Sequence, residues 1–260
     1  MRKYLWIIGL LWVPFICSTV HAAGVEIAIG GWQQSPSGDL SYKAISDEDQ
    51  VNLEDDLGYE TENRVMGRIK IDMPLVLPNI YILAAPMEFE GTGRKSGNFT
   101  FGDQRFSGNV DIDSKVRLNQ YDVGFYWGIP GIRTATAGKF NIDVGLDARL
   151  VDFSAEISGE SASVPGETIT EEESITVVIP MLYAAVQIMP TDHFAIEAEA
   201  RGLTVGGNSL ISLMGRLRYQ FAGPVFIAGG YRVDTLTIDQ DDVDMDLSFS
   251  GPFLEAGLKF

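Results

Sequence analysis

The stretch Phe140-Asn141-Ile142-Asp143-Val144-Gly145-Leu146-Asp147-Ala148-Arg149-Leu150 decides the fold class. Its even positions are apolar and its odd positions are polar, charged or glycine. Successive side chains alternate only on a β-strand; a helix would bring apolar residues together every three or four positions. The same two-residue period runs through Ile211, Leu213, Gly215, Leu217, Tyr219 and Phe221, set against Ser212, Met214, Arg216, Arg218 and Gln220. It recurs in Val225, Ile227, Gly229, Tyr231 and Val233, and in the 110–118 segment against Asp111, Asp113, Lys115 and Arg117. The apolar phase then changes to the odd residues Tyr121, Val123, Phe125 and Trp127. That shift, near Asn119-Gln120, predicts a β-bulge, as does a similar one near Gly251-Pro252.

Working outward, the pattern gives ten strands, at about 25–34, 62–73, 79–90, 109–127, 138–157, 173–189, 193–204, 209–221, 224–238 and 243–260. Eight or twelve result if the end strands or the first loop are misread. Several strands exceed the ~9–11 residues that cross a bilayer, so they project beyond it. Long polar connections (35–61, 91–108 and 158–172) alternate with shorter turns bearing Pro or Gly (74–78, 128–137, 190–192 and 222–223). The last two loop-side connections, near Gly206 and Asp239, are short as well, so the asymmetry is imperfect; long loops at one end and tight turns at the other fit an all-β, ten-stranded antiparallel transmembrane β-barrel. A soluble barrel also alternates, but it carries its charges outside. Here one face mixes acids and bases on single strands (Arg64, Arg68, Lys70 and Asp72; Glu197, Glu199 and Arg201), which suits a lumen. The other face has aromatics near strand ends, namely Tyr121, Phe125, Trp127, Phe194, Tyr219, Phe221 and Tyr231, which suits the interfaces of a membrane. In lipid such a sheet must close, since an open edge would leave backbone groups unpaired.

The first 22 residues read as a secretory signal peptide, with 23–260 as the barrel. Arg2 and Lys3 form a basic head, an apolar run follows to Cys17, and Val20-His21-Ala22 supplies small residues for cleavage. A membrane anchor is disfavoured because the apolar run is short, and lipidation of Cys17 because Ile16 precedes it. Cys17 is the chain's one cysteine, so the exported part has no disulfide or thiolate chemistry. The formal charge of -17 excludes an ordinary nucleic-acid binder, which needs a basic face.

The interior charges form the candidate site. Arg64, Arg68, Lys70, Arg117, Arg149, Arg201, Arg216, Arg218 and Arg232 are set to pair with Asp111, Asp113, Asp143, Asp147, Glu197, Glu199, Asp234, Asp244 and Asp246. A small barrel has room for side chains and little more. Buried charges must be paired or wet, so mixed signs suit a filled lumen, whereas a selective pore favours one sign at its constriction. No catalytic, cofactor-binding or metal-binding residue is assigned, and the chain is read as non-enzymatic. His193 follows Asp192 in a turn on the side opposite the long loops, and is read as a turn residue rather than a general base. The acidic groups Asp47-Glu48-Asp49, Glu171-Glu172-Glu173 and Asp239-Gln240-Asp241-Asp242 fall in the long-loop regions. They are weighed as divalent-cation sites against solvated loops, with the solvated reading preferred.

Several pieces carry a family resemblance: Gly31-Trp32, Pro36-Ser37-Gly38, Leu53-Glu54-Asp55-Asp56-Leu57-Gly58, Glu62-Asn63, Pro74 and Leu77-Pro78-Asn79. Together they resemble a family of bacterial outer-membrane β-barrel proteins with no assigned biochemical function. The terminal Leu258 and Phe260 resemble the assembly signal of such barrels. The resemblance implies an outer-membrane location in a Gram-negative bacterium with both termini periplasmic. It implies lipid and lipopolysaccharide as surroundings and the β-barrel assembly machinery as partner, and it implies no catalytic residue. The role expected is structural, or a narrow channel for small solutes. The alternatives are a lipid-modifying or proteolytic barrel enzyme, and a receptor or adhesin acting through the first loop. Within that loop Leu53 to Gly58 is expected to form a helical turn ended by glycine, read as a capped surface loop in preference to a lid over the barrel mouth.

Overall fold

A computed structural model describes residues 24–74, 76–240 and 242–260; the expected signal peptide and Cys17 lie outside them. Ten antiparallel strands make the wall. They are β1 (Gly24–Tyr42), β2 (Glu62–Asp72), β3 (Asn79–Ala85, continued by Glu88–Gly93), β4 (Ile112–Gly128) and β5 (Phe140–Glu160). β6 (Thr168–Thr191), β7 (Phe194–Val205), β8 (Asn208–Gln220), β9 (Val225–Gln240) and β10 (Val243–Lys259) complete it. Each strand pairs with its sequence neighbour, and β1 pairs with β10 from Glu26↔Lys259 to Tyr42↔Val243. The sheet is closed. Phe260 extends the seam, its N–H donating to the Val25 carbonyl at 2.9 Å and its carbonyl accepting from Val25 at 3.3 Å. A closed all-β barrel of ten strands is what the alternation predicts.

The two expected bulges do not form. β4 and β5 keep one register from Asp113↔Ser158 to Gly128↔Asp143, and β9 and β10 keep one from Val225↔Leu258 to Gln240↔Val243. Geometric alternation is unbroken; the chemistry of the two faces changes places. On β4, Ile112, Val116 and Leu118 point inward and are buried near the loop end. Further down, the same inward face carries Gln120, Asp122 and Tyr126. On β5 the outward residues run from Ile142, Val144, Leu146, Ala148 and Leu150 to Asp152, Ser154, Glu156 and Ser158. The physical reason is a change of surroundings along one wall. The half near the termini meets lipid outside and holds charges inside; the half near the loops stands in water and encloses an apolar core.

Dimensions agree. The outward apolar run on β5 covers eight residue steps, about 26 Å along the strand, or about 20 Å of height at a tilt near 40°. β6, with 24 residues, is about 80 Å long, so the wall rises well above the belt. Exposed Phe125, Trp127, Tyr219 and Phe221 cluster toward the end bearing the termini, as expected of an interfacial girdle.

The first loop packs inside. Val51, Leu53 and Leu57 are fully buried in one cluster with Phe89, Phe99, Phe101, Phe106 and Phe249. Asn52 caps the turn through its side-chain oxygen, which accepts from the Glu54 and Asp55 N–H groups at 3.0 and 2.9 Å. Gly58 ends it at φ +69, its N–H donating to Glu54 at 3.2 Å. The helical turn is therefore as expected, but the preferred surface-loop reading is overturned. Burying leucines at about 2 kcal/mol each offsets the cost of ordering the loop. It docks along Glu88–Gly93, the part of β3 beyond Pro86 that pairs with β4 alone; Pro86 has no N–H to continue the ladder with β2. Gly91 and Gly93 allow the approach, since an added Cβ would lie 2.3 Å from the Leu57 oxygen and 2.1 Å from the Asp56 oxygen.

Candidate functional site

In the half near the termini, charged inward positions of eight strands converge on a narrow axis, and their side chains fill it. Seven cations (Arg68, Lys70, Arg149, Arg201, Arg216, Arg218 and Arg232) meet seven carboxylates (Glu26, Asp122, Asp147, Glu197, Glu199, Asp234 and Glu255). Arg68 donates from Nε to both Glu255 oxygens at 3.1 Å, from Nη2 to Oε1 at 2.7 Å and from Nη1 to Glu26 at 2.5 Å. Arg149 forks onto Asp122 at 2.6 and 2.8 Å. Arg216 bonds Glu199 and reaches Glu197 at 3.4 Å and Glu255 at 3.3 Å. Arg218 holds Glu26 at 2.9 Å and Glu197 at 3.1 Å, and Lys70 holds Glu199 at 2.7 Å. Arg232 holds Asp234 at 2.7 Å and donates to Gln120 at 2.9 Å.

Aromatic faces serve the same cations. The Arg201 guanidinium lies 4.4 Å from the Tyr81 ring centroid and 5.0 Å from that of Tyr183, and the Arg232 guanidinium lies 4.5 Å from the Trp32 ring. Such contacts stabilise desolvated guanidinium groups that have used up their carboxylate partners. Arg68, Arg201, Arg216 and Arg218 each touch carboxylates on two or three different strands. The network therefore ties the wall together across its diameter and fills the lumen with paired charge.

Of the residues expected in the lumen, Arg68, Asp147, Arg149, Glu197, Glu199, Arg201, Arg216, Arg218, Arg232 and Asp234 are there and buried. Asp143 faces inward nearer the end bearing the termini, where it accepts from Asn141 at 2.7 Å. Arg64 sits at the β3 interruption, its side chain 34% exposed, donating to the Glu88 carbonyl at 2.6 Å. Asp111, Asp113, Arg117, Asp244 and Asp246 are corrected: they face water on the outer side of the loop half. Asp111 pairs with Arg94 there at 2.6 Å, and Arg117 with Glu88 at 3.0 Å. They were misplaced because a polar face marks the lumen only at the height of the lipid. Glu26, Asp122 and Glu255 were missed, although each stands between exposed apolar neighbours: Ile27 beside Glu26, Tyr121 and Val123 around Asp122, Leu254 beside Glu255.

Two spaces flank the network. A polar vestibule of about 360 Å³ opens toward the termini, with Lys70, Asp72, Asp143 and Lys259 on its walls. An apolar cavity of about 510 Å³ lies on the loop side, between β1 and β4–β10. His193 is exposed in the β6–β7 turn, its Nδ1 3.1 Å from the Gln220 carbonyl oxygen. Glu171, Glu172 and Glu173 belong to β6 rather than to a loop, so their side chains alternate across the wall. Among the described residues no group of three or more His, Cys, Asp or Glu is arranged to hold a metal ion; Asp241 lies outside the described residues.

A closed wall with an apolar belt outside and paired charge inside defines a class: the transmembrane β-barrel with a filled lumen. Comparison with known proteins adds structural neighbours only. The chain is similar to the attachment invasion locus protein Ail of Yersinia pestis (13% identity, covering 92% of this chain and 99% of that one, TM-score 0.35). It is similar to the translocator domain of the autotransporter NalP from Neisseria meningitidis (10% identity, 92% and 90% covered, TM-score 0.45). A third neighbour is the P. putida toluene transporter TodX (8% identity, 91% and 90% covered, TM-score 0.33). No protein-family model matches the chain, and no curated protein matches it. Identities and scores of this size carry no inference about activity.

Proposed function

We propose that the chain is a non-enzymatic barrel of the outer membrane of a Gram-negative bacterium, its termini periplasmic and its lumen closed to solutes. The observation that carries this reading is the network of seven cations and seven carboxylates, buried except for the half-buried Lys70, balanced in sign and spanning the lumen at the height of the apolar belt. A hydrated ion crossing here must separate pairs whose partners have no water to replace them, which costs several kcal/mol per charge. The two longest connections, 43–61 and 94–111, both leave the end opposite the termini, which supports the orientation, since outer-membrane barrels carry their longer loops on the outer side. Leu258 and Phe260 remain outward and exposed at the seam, as a signal read by the assembly machinery requires. The enzyme alternative finds little support, because His193 lies in a turn at the far end from both the first loop and the apolar cavity. The surface-adhesin alternative is weakened as well, because the first loop commits its apolar face to the barrel interior.

Proteoliposome swelling tests the closed state. Vesicles carrying the protein should swell in arabinose or glycine no faster than protein-free vesicles. Swelling that scales with protein content would establish the narrow channel instead.

A further inference from the structure

We propose that the apolar cavity in the loop half is a binding site for a hydrophobic amine. Its volume, about 510 Å³, is that of a pocket for a drug-sized molecule. Inside it Ile175 and Val177 stay 57% and 38% exposed, since β6 pairs there with β5 alone and its pairing with β7 begins only at Leu182↔Gly202, so apolar surface is left for an occupant to cover. Below, Gln120 closes its floor and accepts from Arg232 of the charge network at 2.9 Å. The rim sets the head group. Glu173 is the one ionisable carboxylate among the described lining residues, and no Lys or Arg lines the cavity. Tyr42, whose hydroxyl donates to Glu173 at 3.3 Å, stands against Phe101 in an edge contact with centroids 5.9 Å apart. A carboxylate at an apolar rim favours a cation, while the acidic strand end Glu171 to Glu173 disfavours an anionic amphiphile. An alkyl or aryl body in the cavity with its ammonium at Glu173 satisfies both ends.

The site lies above the network and does not depend on whether the lumen conducts. Its test uses the full chain with Cys17→Ser, so that one introduced thiol reports alone. Ile175→Cys places that thiol in the cavity, and Ser174→Cys places it on the outer face one residue away. In phosphatidylcholine nanodiscs, alkylation by a water-soluble maleimide is timed with and without dodecylammonium or laurate. The site predicts that dodecylammonium slows the Ile175→Cys reaction about tenfold, the affinity gain of one charge-assisted contact, and leaves Ser174→Cys unchanged. Laurate should slow it less than twofold, and Glu173→Gln should erase the difference between the two. Equal protection by both amphiphiles, no protection by either, or a cavity thiol that never reacts although the variant folds would each overturn the proposal.

Discussion

Replacing Arg68 with methionine removes the most heavily engaged cation of the lumen at nearly constant volume. Arg68 makes three hydrogen bonds to Glu255 and one to Glu26, and its side chain is fully buried. Bonds to charged groups contribute about 1.5–3 kcal/mol each, so a simple sum would exceed 6 kcal/mol. That sum is too large, because the variant no longer desolvates a guanidinium. Breaking one side of a buried pair costs about 3–5 kcal/mol, most of it from the carboxylates left behind. Here those carboxylates keep other partners: Glu255 retains Arg216 at 3.3 Å, and Glu26 retains Arg218 at 2.9 Å and Lys259 at 3.3 Å. The loss should therefore fall near about 3 kcal/mol, at the low end. Urea unfolding in lipid vesicles, followed by tryptophan fluorescence, measures it. A loss under about 1 kcal/mol, the range of an exposed ion pair, would refute the claim that this network is desolvated and structural.

Other expectations follow from the inverted wall and the docked loop. Leu146→Arg, at the middle of the outer belt, should cost about 2–4 kcal/mol, whereas Glu156→Arg on the same strand and face should change stability by under about 0.5 kcal/mol. The same unfolding assay separates the two. Gly93→Val should displace the first loop, read as faster proteolysis within 43–61 while the barrel stays resistant. Asp49 ties that loop to the second: burial opposes its ionisation, but N–H groups of Thr100, Ile45 and Ser46 outweigh burial and hold its carboxyl below the ordinary value. Because the folded value is the lower one, the tether is intact above about pH 4 and is lost as pH falls further. Asp49→Asn at neutral pH should reproduce the acid-induced rise in loop proteolysis.

Strand count and pairing order were legible because period-2 alternation is local. Phe140 to Leu150 shows it without knowledge of any neighbour. Most lumen charges were legible on the same ground, since Glu197, Glu199 and Arg201 share a face by spacing alone. The height of the lipid along each strand was not legible. A switch from charged to apolar on one face looks the same in sequence whether the chain slips by one residue or its surroundings change. The unbroken registers of β4 with β5 and of β9 with β10 distinguish the two, and they move Asp113, Arg117 and Asp244 from the lumen to the water-facing wall. The fate of the first loop was hidden for a related reason. Leu53 and Leu57 flank acids that suit a surface, and only the interruption at Pro86 together with Gly91 and Gly93 reveals the space they fill.

The central claim is that paired charges close the lumen, and single-channel recording in planar bilayers tests it most directly. The wild-type protein, inserted from refolded stock at molar salt and up to 100 mV, should give no discrete current steps. Arg68→Ser combined with Arg216→Ser, which removes bulk and pairing from the centre of the network, should give them. Regular steps from the wild type, proportional to salt concentration, would contradict the account.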